Sequence, residues 1–217
     1  DPFLRLTYAE AMETYGSDKP DLRYEMRLKD VKEFTDVSEF NAFKSAAVVK
    51  GLVVEGGAKY SRKIIDELTN HVQKYKAKGL AWMKAEDGVF IGGISKFFSD
   101  ELQQSMFEKL SVNHGDILFM IGDNTSIALN ALGQLRVDIA RREKLFSNDQ
   151  FIPVWITEFP MFDYDDETER FIAMHHPFTA PRDEDVEKLD SDPSGALSRG
   201  YDLTMNGYEI AGGSIRI

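Results

Sequence analysis

The feature that most constrains this chain is the Asn206-Gly207 step inside its last stretch, YDLTMNGYEIAGGSIRI. Both residues tolerate positive φ, so they favour a two-residue type I′ hairpin turn. Such a turn fixes register. Met205 is expected to face Tyr208, Thr204 to face Glu209, and Asp202 to face Ala211. Side chains alternate along strands, so Asp202, Thr204, Glu209 and Ala211 share one face. Two carboxylates on one sheet face, beside a small residue, suit a Mg²⁺ ion held together with phosphate, because Mg²⁺ takes one or two carboxylates and fills its other positions with water or phosphate. A solvated outer face of an antiparallel sheet is the plain alternative.

Strict alternation would put Arg216 on the face opposite Glu209. One extra residue at Gly212-Gly213 would reverse that, because a bulge flips the parity of the strand residues beyond it and glycine in a strand often marks one. Arg216 then joins the carboxylates, where its guanidinium can grip a carboxylate through two parallel hydrogen bonds. An Arg on the outer face, with the glycines serving tight packing, remains open. His175-His176 lies in RFIAMHHPFTAP, read as a strand stopped by Pro177, so only one of the two imidazoles can enter a given pocket. Neither has a serine or carboxylate at a spacing that signals nucleophilic catalysis. His71 and His114 have no clustered partners.

Upstream, the segments divide into three parts, 1–27, 28–147 and 148–217. Thr7 and Glu10 form a capping box before a short helix ending near Tyr15-Gly16, and GSDKPD comes next as a turn. The middle part reads β-α-β-β-α-β-α. SAAVVKGLVVEGG is a strand, and the next helix is capped by Ser61 and stopped at Gly79. LAWMKAEDGVFIGG is a hairpin turning at Asp87-Gly88. Ser99 caps a second helix, GDILFMIGD is a strand, and NTSIALNALGQLRVDIARREKLF is a long helix with a basic C-terminal end that suits its dipole. This order predicts an α+β fold with helices on a mixed or antiparallel sheet. In the last part, FIPVWITEFPMFDY is a strand entering an aromatic corner, and PRDEDVEKLDSDPSGALSRG is an acidic, mobile loop.

Composition narrows the function classes. The 217 residues carry a net charge of -11, which disfavours a free-standing, non-specific nucleic-acid binder while leaving room for a local contact with RNA. No cysteine is present, so disulfides, thiol nucleophiles and thiolate zinc sites are excluded. That absence leans towards the cytoplasm. No apolar run reaches membrane-spanning length, and the start lacks a signal-peptide pattern. It also lacks an initiator Met, which points to a boundary within a longer protein.

TYAEAMETYGSDKPDLR, KGLAWMK, GDILFMIGD, ALGQLR, WITEFPMF, HHPFTAP and YDLTMNGYEIAGGSIRI occur here in the order found in bacterial-type aspartyl-tRNA synthetases. The chain resembles that family along its whole length. The resemblance implies that 28–147 is the GAD domain inserted in the catalytic domain, with partial class II antiparallel-sheet segments on either side. It implies a ligase that activates L-aspartate with ATP and Mg²⁺ and transfers it to tRNA, as a cytoplasmic homodimer. Residue by residue, it implies aspartate binding by His175 and Arg216, ATP binding by Glu209, and Mg²⁺ shared by Asp202 and Glu209. Ala211-Gly212-Gly213 departs mildly from the three glycines common in relatives. The anticodon-binding barrel and the motif 2 and motif 3 elements of that family are not found here, so the 217 residues alone are expected to be inactive. The alternative is a GAD-type module that contacts tRNA or protein without a catalytic role.

Overall fold

The computed structural model describes residues 3–165 and 168–217. In chain order its elements are β1 (Leu4–Thr7), α1 (Tyr8–Tyr15), β2 (Leu28–Asp30), α2 (Lys32–Val37), β3 (Val48–Val54), α3 (Arg62–Gln73), β4 (Ala81–Glu86) and β5 (Val89–Ile91). They continue with α4 (Asp100–Leu110), β6 (Ile117–Asp123), α5 (Thr125–Arg142), β7 (Pro153–Thr157), β8 (Phe162–Asp165), β9 (Arg170–Ala173), α6 (Lys188–Ser191), β10 (Gly200–Met205) and β11 (Tyr208–Ser214). They fall into two compact units, one of Asp1–Met12, Asp18–Arg23 and Phe146–Ile217, the other of Glu13–Ser17 and Tyr24–Leu145.

The second unit is α+β, as the segment order predicts, but β2 and α2 stand ahead of the first strand expected, the one read in SAAVVKGLVVEGG. Its five-stranded sheet is antiparallel throughout, in the order β2-β3-β6-β4-β5. The central strand β6 is buried along nearly its full length, which explains why it reads as an unbroken apolar run rather than an alternation. Leu118 and Met120 pack with Phe34 of α2 and Met106 and Leu110 of α4, while α5 contacts β3, β6 and α3. The local signals hold. The Ser61 and Ser99 hydroxyls accept from the amides of Ile64 and Leu102, closing the N-termini of α3 and α4. Asp87 and Gly88 both take positive φ between β4 and β5. The helix α3 stops at Gln73 rather than at Gly79; Lys76, at φ 70, takes the left-handed position first.

Arg136, in mid-α5, is 1% exposed. It donates to the carbonyls of Met26 and Tyr24 at 2.8 and 2.9 Å and lies over the rings of Tyr24 and Tyr15. An arginine here therefore ties the 24–26 segment to the helix through backbone oxygens and two ring faces. Gly16 and Gly133 bring two backbones together, since a Cβ on Gly133 would fall 2.2 Å from the Gly16 carbonyl oxygen.

The first unit carries a four-stranded sheet, order β1-β7-β10-β11, and the separate hairpin β8-β9. The flanking segments were expected to be antiparallel; β1 instead runs parallel to β7, while β7-β10 and β10-β11 are antiparallel. Parallel pairing needs a long connection, and the chain between β1 and β7 supplies more than enough of it. Thr7 and Glu10 form the capping box, with the Thr7 amide donating to Glu10 Oε2 at 2.8 Å and the Glu10 amide to Thr7 Oγ1 at 3.1 Å. A small core of Ala11, Val154, Ile156 and Phe159 joins α1 to the sheet.

The 181–200 stretch, expected to be mobile, is built of short helical turns around a buried carboxylate. Asp185, 2% exposed, pairs with Lys188 at 2.6 Å and accepts from the Leu197 amide at 3.2 Å. No described helix is long and apolar enough to cross a membrane.

Candidate functional site

The hairpin β10-β11 turns at Asn206 and Gly207, both at positive φ, and Met205 and Thr204 face Tyr208 and Glu209 as the turn dictates. Beyond that point the register differs from expectation. Leu203 faces Ala211, and Asp202 faces Gly212 rather than Ala211. The extra residue is Ile210, so the bulge exists but precedes the glycine pair. A classic bulge holds its first residue near the right-handed helical region, where any side chain is at ease, so no glycine was needed to make it.

For Arg216 the consequence is the same as for a bulge at the glycines. Thr204 and Asp202 share a face of β10; Glu209 and Gly212 lie opposite them, and alternation from Gly212 carries Ser214 and Arg216 to the same side. Past β11 the chain stays pinned, with Thr179 bridged to Arg216 and the Thr179 hydroxyl 3.1 Å from that of Ser214.

The two glycines serve close approach instead. A Cβ on Gly212 would lie 2.5 Å from Asp202 Oδ1 and 3.2 Å from Glu209 Oε1, so both carboxylates converge over this residue. On Gly213 it would meet the Tyr201 hydroxyl at 2.9 Å and its ring at 3.0–3.1 Å. At Gly200 a Cβ would meet Ser198 Oγ at 3.1 Å and the His175 ring at an ordinary contact distance of 3.6–3.7 Å, so the imidazole lies over this position without requiring glycine there. That position points to the face of Asp202, two residues on.

His175 itself is not in a strand, contrary to the reading of RFIAMHHPFTAP. The strand β9 ends at Ala173, Met174-His175 form a bend beyond it, and His176 follows in the loop. The imidazole of His175 packs edge-on to Phe159, centroids 4.4 Å apart. His176 turns to its own loop and accepts from the Phe178 amide at 3.1 Å. A bend lets the two rings part without strand alternation, and it is His175 that meets β10.

Two further groups come from the GSDKPD turn. Lys19 Nζ lies 3.3 Å from Glu209 Oε2. Asp18 faces Asp202 and Tyr8 closely enough to raise the pKa of both. Nothing in the turn's own sequence announces this. Its partners lie nearly two hundred residues away, and a Lys between Asp and Pro reads as ordinary turn chemistry.

Asp202 is 5% exposed. Burial raises its pKa, and the Glu209 and Asp18 charges push the same way, while His175 and Lys19 oppose them. For Lys19, burial pulls the pKa down, but Asp18, Glu209 and Asp202 outweigh it, and the net direction is up. The site is thus a half-open, net acidic recess that favours a cation. Among the described residues no group of three or more His, Cys, Asp or Glu is placed to hold a metal. The donor set here is two carboxylates, which fits a hard cation that takes its remaining oxygens from a ligand or water.

Residues 40–132 match the GAD domain. The aspartate–tRNA(Asp/Asn) ligase of Desulfatibacillum aliphaticivorans is 46% identical over 221 residues, an alignment covering 100% of this chain and 37% of the relative. The aspartate–tRNA ligase of Staphylococcus carnosus (strain TM300) is 45% identical over 222 residues, covering 100% of this chain and 38% of the relative. The aspartate–tRNA ligase of Halalkalibacterium halodurans is 44% identical, again across the whole chain and 37% of the relative. The chain spans little more than a third of the length of these relatives. Across all of its residues the chain is homologous to one segment of the bacterial aspartate–tRNA ligases, and its own residues 40–132 carry the GAD domain match.

Proposed function

We propose that the whole protein carrying this sequence is an aspartate–tRNA ligase, and that the β10-β11 hairpin with His175 forms part of its amino-acid-activating site. The observation that carries this reading is the convergence of Asp202, Glu209 and the His175 ring on one sheet face, with the bulge at Ile210 bringing Arg216 to that face. Residues 28–147 are the GAD insertion, with catalytic-domain segments at 1–27 and 148–217.

In this reading Arg216 grips the substrate aspartate through parallel, charge-assisted hydrogen bonds. His175 makes a second contact to the same substrate. Both are held by their surroundings rather than by each other, Arg216 by its bridge to Thr179 and His175 by packing on Phe159. Glu209 contacts ATP, and Asp202 with Glu209 holds Mg²⁺. The ion, when bound, neutralises charge on the triphosphate. Activation joins an aspartate carboxylate oxygen to the α-phosphorus and releases pyrophosphate. The aspartyl group then passes to the 3′ end of tRNA. Orientation supplies much of such a rate, so a recess preset by glycine-floored carboxylates is suited to it. The whole protein works as a cytoplasmic homodimer, and the 217 residues alone form no adenylate.

Amino-acid-dependent pyrophosphate exchange by the full-length protein tests this. Exchange with aspartate alone, abolished by Glu209→Ala, is the expected result. No exchange with any amino acid would defeat it and leave a GAD-type module that contacts tRNA or protein.

A further inference from the structure

We propose that Lys19 is a positioning residue, the site's resident counter-cation, whose ammonium holds Glu209 until a divalent cation displaces it. This rests on the reading above, in which Asp202 and Glu209 hold that cation.

The geometry sets up the competition. Asp202 Oδ1 and Glu209 Oε1 converge over Gly212, and the other Glu209 oxygen, Oε2, is the one 3.3 Å from Lys19 Nζ. One carboxylate therefore serves both the lysine and the recess. The backbone that carries Lys19 is anchored. Asp21 and Arg23 form a two-point ion pair at 2.7 and 2.9 Å, both side chains less than 10% exposed, and Arg23 stacks on Phe146 at 4.0 Å. The Lys19 carbonyl and Asp21 also lie beside Gly207 in the hairpin turn. The stem thus starts from a fixed point while its head, like Glu209, is about two-fifths exposed. An exposed pair of this kind is weak, so a doubly charged ion can displace it, yet it relieves the repulsion between two carboxylates until that ion binds. The displaced ammonium stays within reach of any anion that arrives with the ion.

The test is Mn²⁺ binding to the 217-residue chain, monitored by water proton relaxation, without nucleotide. Lys19→Gln removes the competitor and should tighten Mn²⁺ roughly two- to fivefold, the range of an exposed ion pair. Lys19→Arg should keep the wild-type affinity, and Glu209→Gln should abolish binding. A lysine that merely braced the fold could not give the gain. Wild-type binding with Lys19→Gln equal or weaker would overturn the inference and leave the cation site standing. No Mn²⁺ bound by either protein would overturn the cation site and the inference together.

Discussion

Gly212→Ala is the sharpest probe of how the recess is built. The new Cβ would lie 2.5 Å from Asp202 Oδ1, whereas real Cβ contacts essentially stop at 3.0 Å. Asp202 Oδ1 must therefore retreat by about 0.5 Å, and by nearer 1 Å for ordinary contact, with Glu209 Oε1 giving way less. The obstacle is the tip of a side chain, not backbone. The fold should thus lose about 1 kcal/mol or less, the low end for added bulk. For a chain of this size that is a fall in Tm of about 2–4 °C. Function should suffer far more, because a misplacement near 1 Å can cost about a hundredfold in rate. If the full-length protein has the proposed activity, its aspartate-dependent pyrophosphate exchange should drop about 10- to 100-fold in kcat/KM, while the Tm of the 217-residue chain falls by no more than those few degrees. Unaltered exchange would refute the claim that Gly212 seats the two carboxylates. A large fall in Tm would refute the claim that only the site is disturbed.

Three other outcomes are expected from the same contacts. Gly133→Ala sets a Cβ 2.2 Å from the Gly16 carbonyl oxygen; this is backbone that cannot rotate away, so denaturant titration should show a loss of at least about 3 kcal/mol. Arg136→Lys keeps the charge but not the fork that reaches the Met26 and Tyr24 carbonyls, and should cost about 2–4 kcal/mol in the same assay. Asp202 has its pKa raised, first by burial and then by Glu209. Its favourable share of stability is complete below the unfolded carboxylate value of about 3.9 and fades as pH rises through the higher folded value. Asp202→Asn should therefore raise Tm at pH 7 and bring no gain at pH 3, as read by thermal denaturation.

Local chemistry was legible wherever a short stretch decides its own geometry. Thr7-Glu10, Ser61, Ser99, Asp87-Gly88 and Asn206-Gly207 all behave as their residue types require, since each satisfies an amide or a φ within four residues. From β3 to α5 the strand and helix order of the second unit was readable from period and breakers, whereas β2 and α2, three and six residues long, are too short to show a period. The bulge was legible in its effect on Arg216 but not in its place. Glycine in a strand often marks an irregular backbone, whereas Gly212 and Gly213 are small because the two carboxylates and Tyr201 lie over them. Lys19 and Asp18 could not be seen, because what makes them part of the site is Glu209 and Asp202 across the fold. The parallel β1-β7 pair was missed for the same reason, a partner brought from more than a hundred residues away.

The most direct test of the proposed function is the effect of Arg216→Ala on the two Michaelis constants in pyrophosphate exchange by the full-length protein. If the bulge at Ile210 delivers this guanidinium to the aspartate carboxylate, KM for aspartate should rise at least about 30-fold, the loss of about 2 kcal/mol or more, while KM for ATP stays put. A rise in KM for ATP with KM for aspartate unchanged would contradict the account, for Arg216 would then serve the nucleotide and not the amino acid.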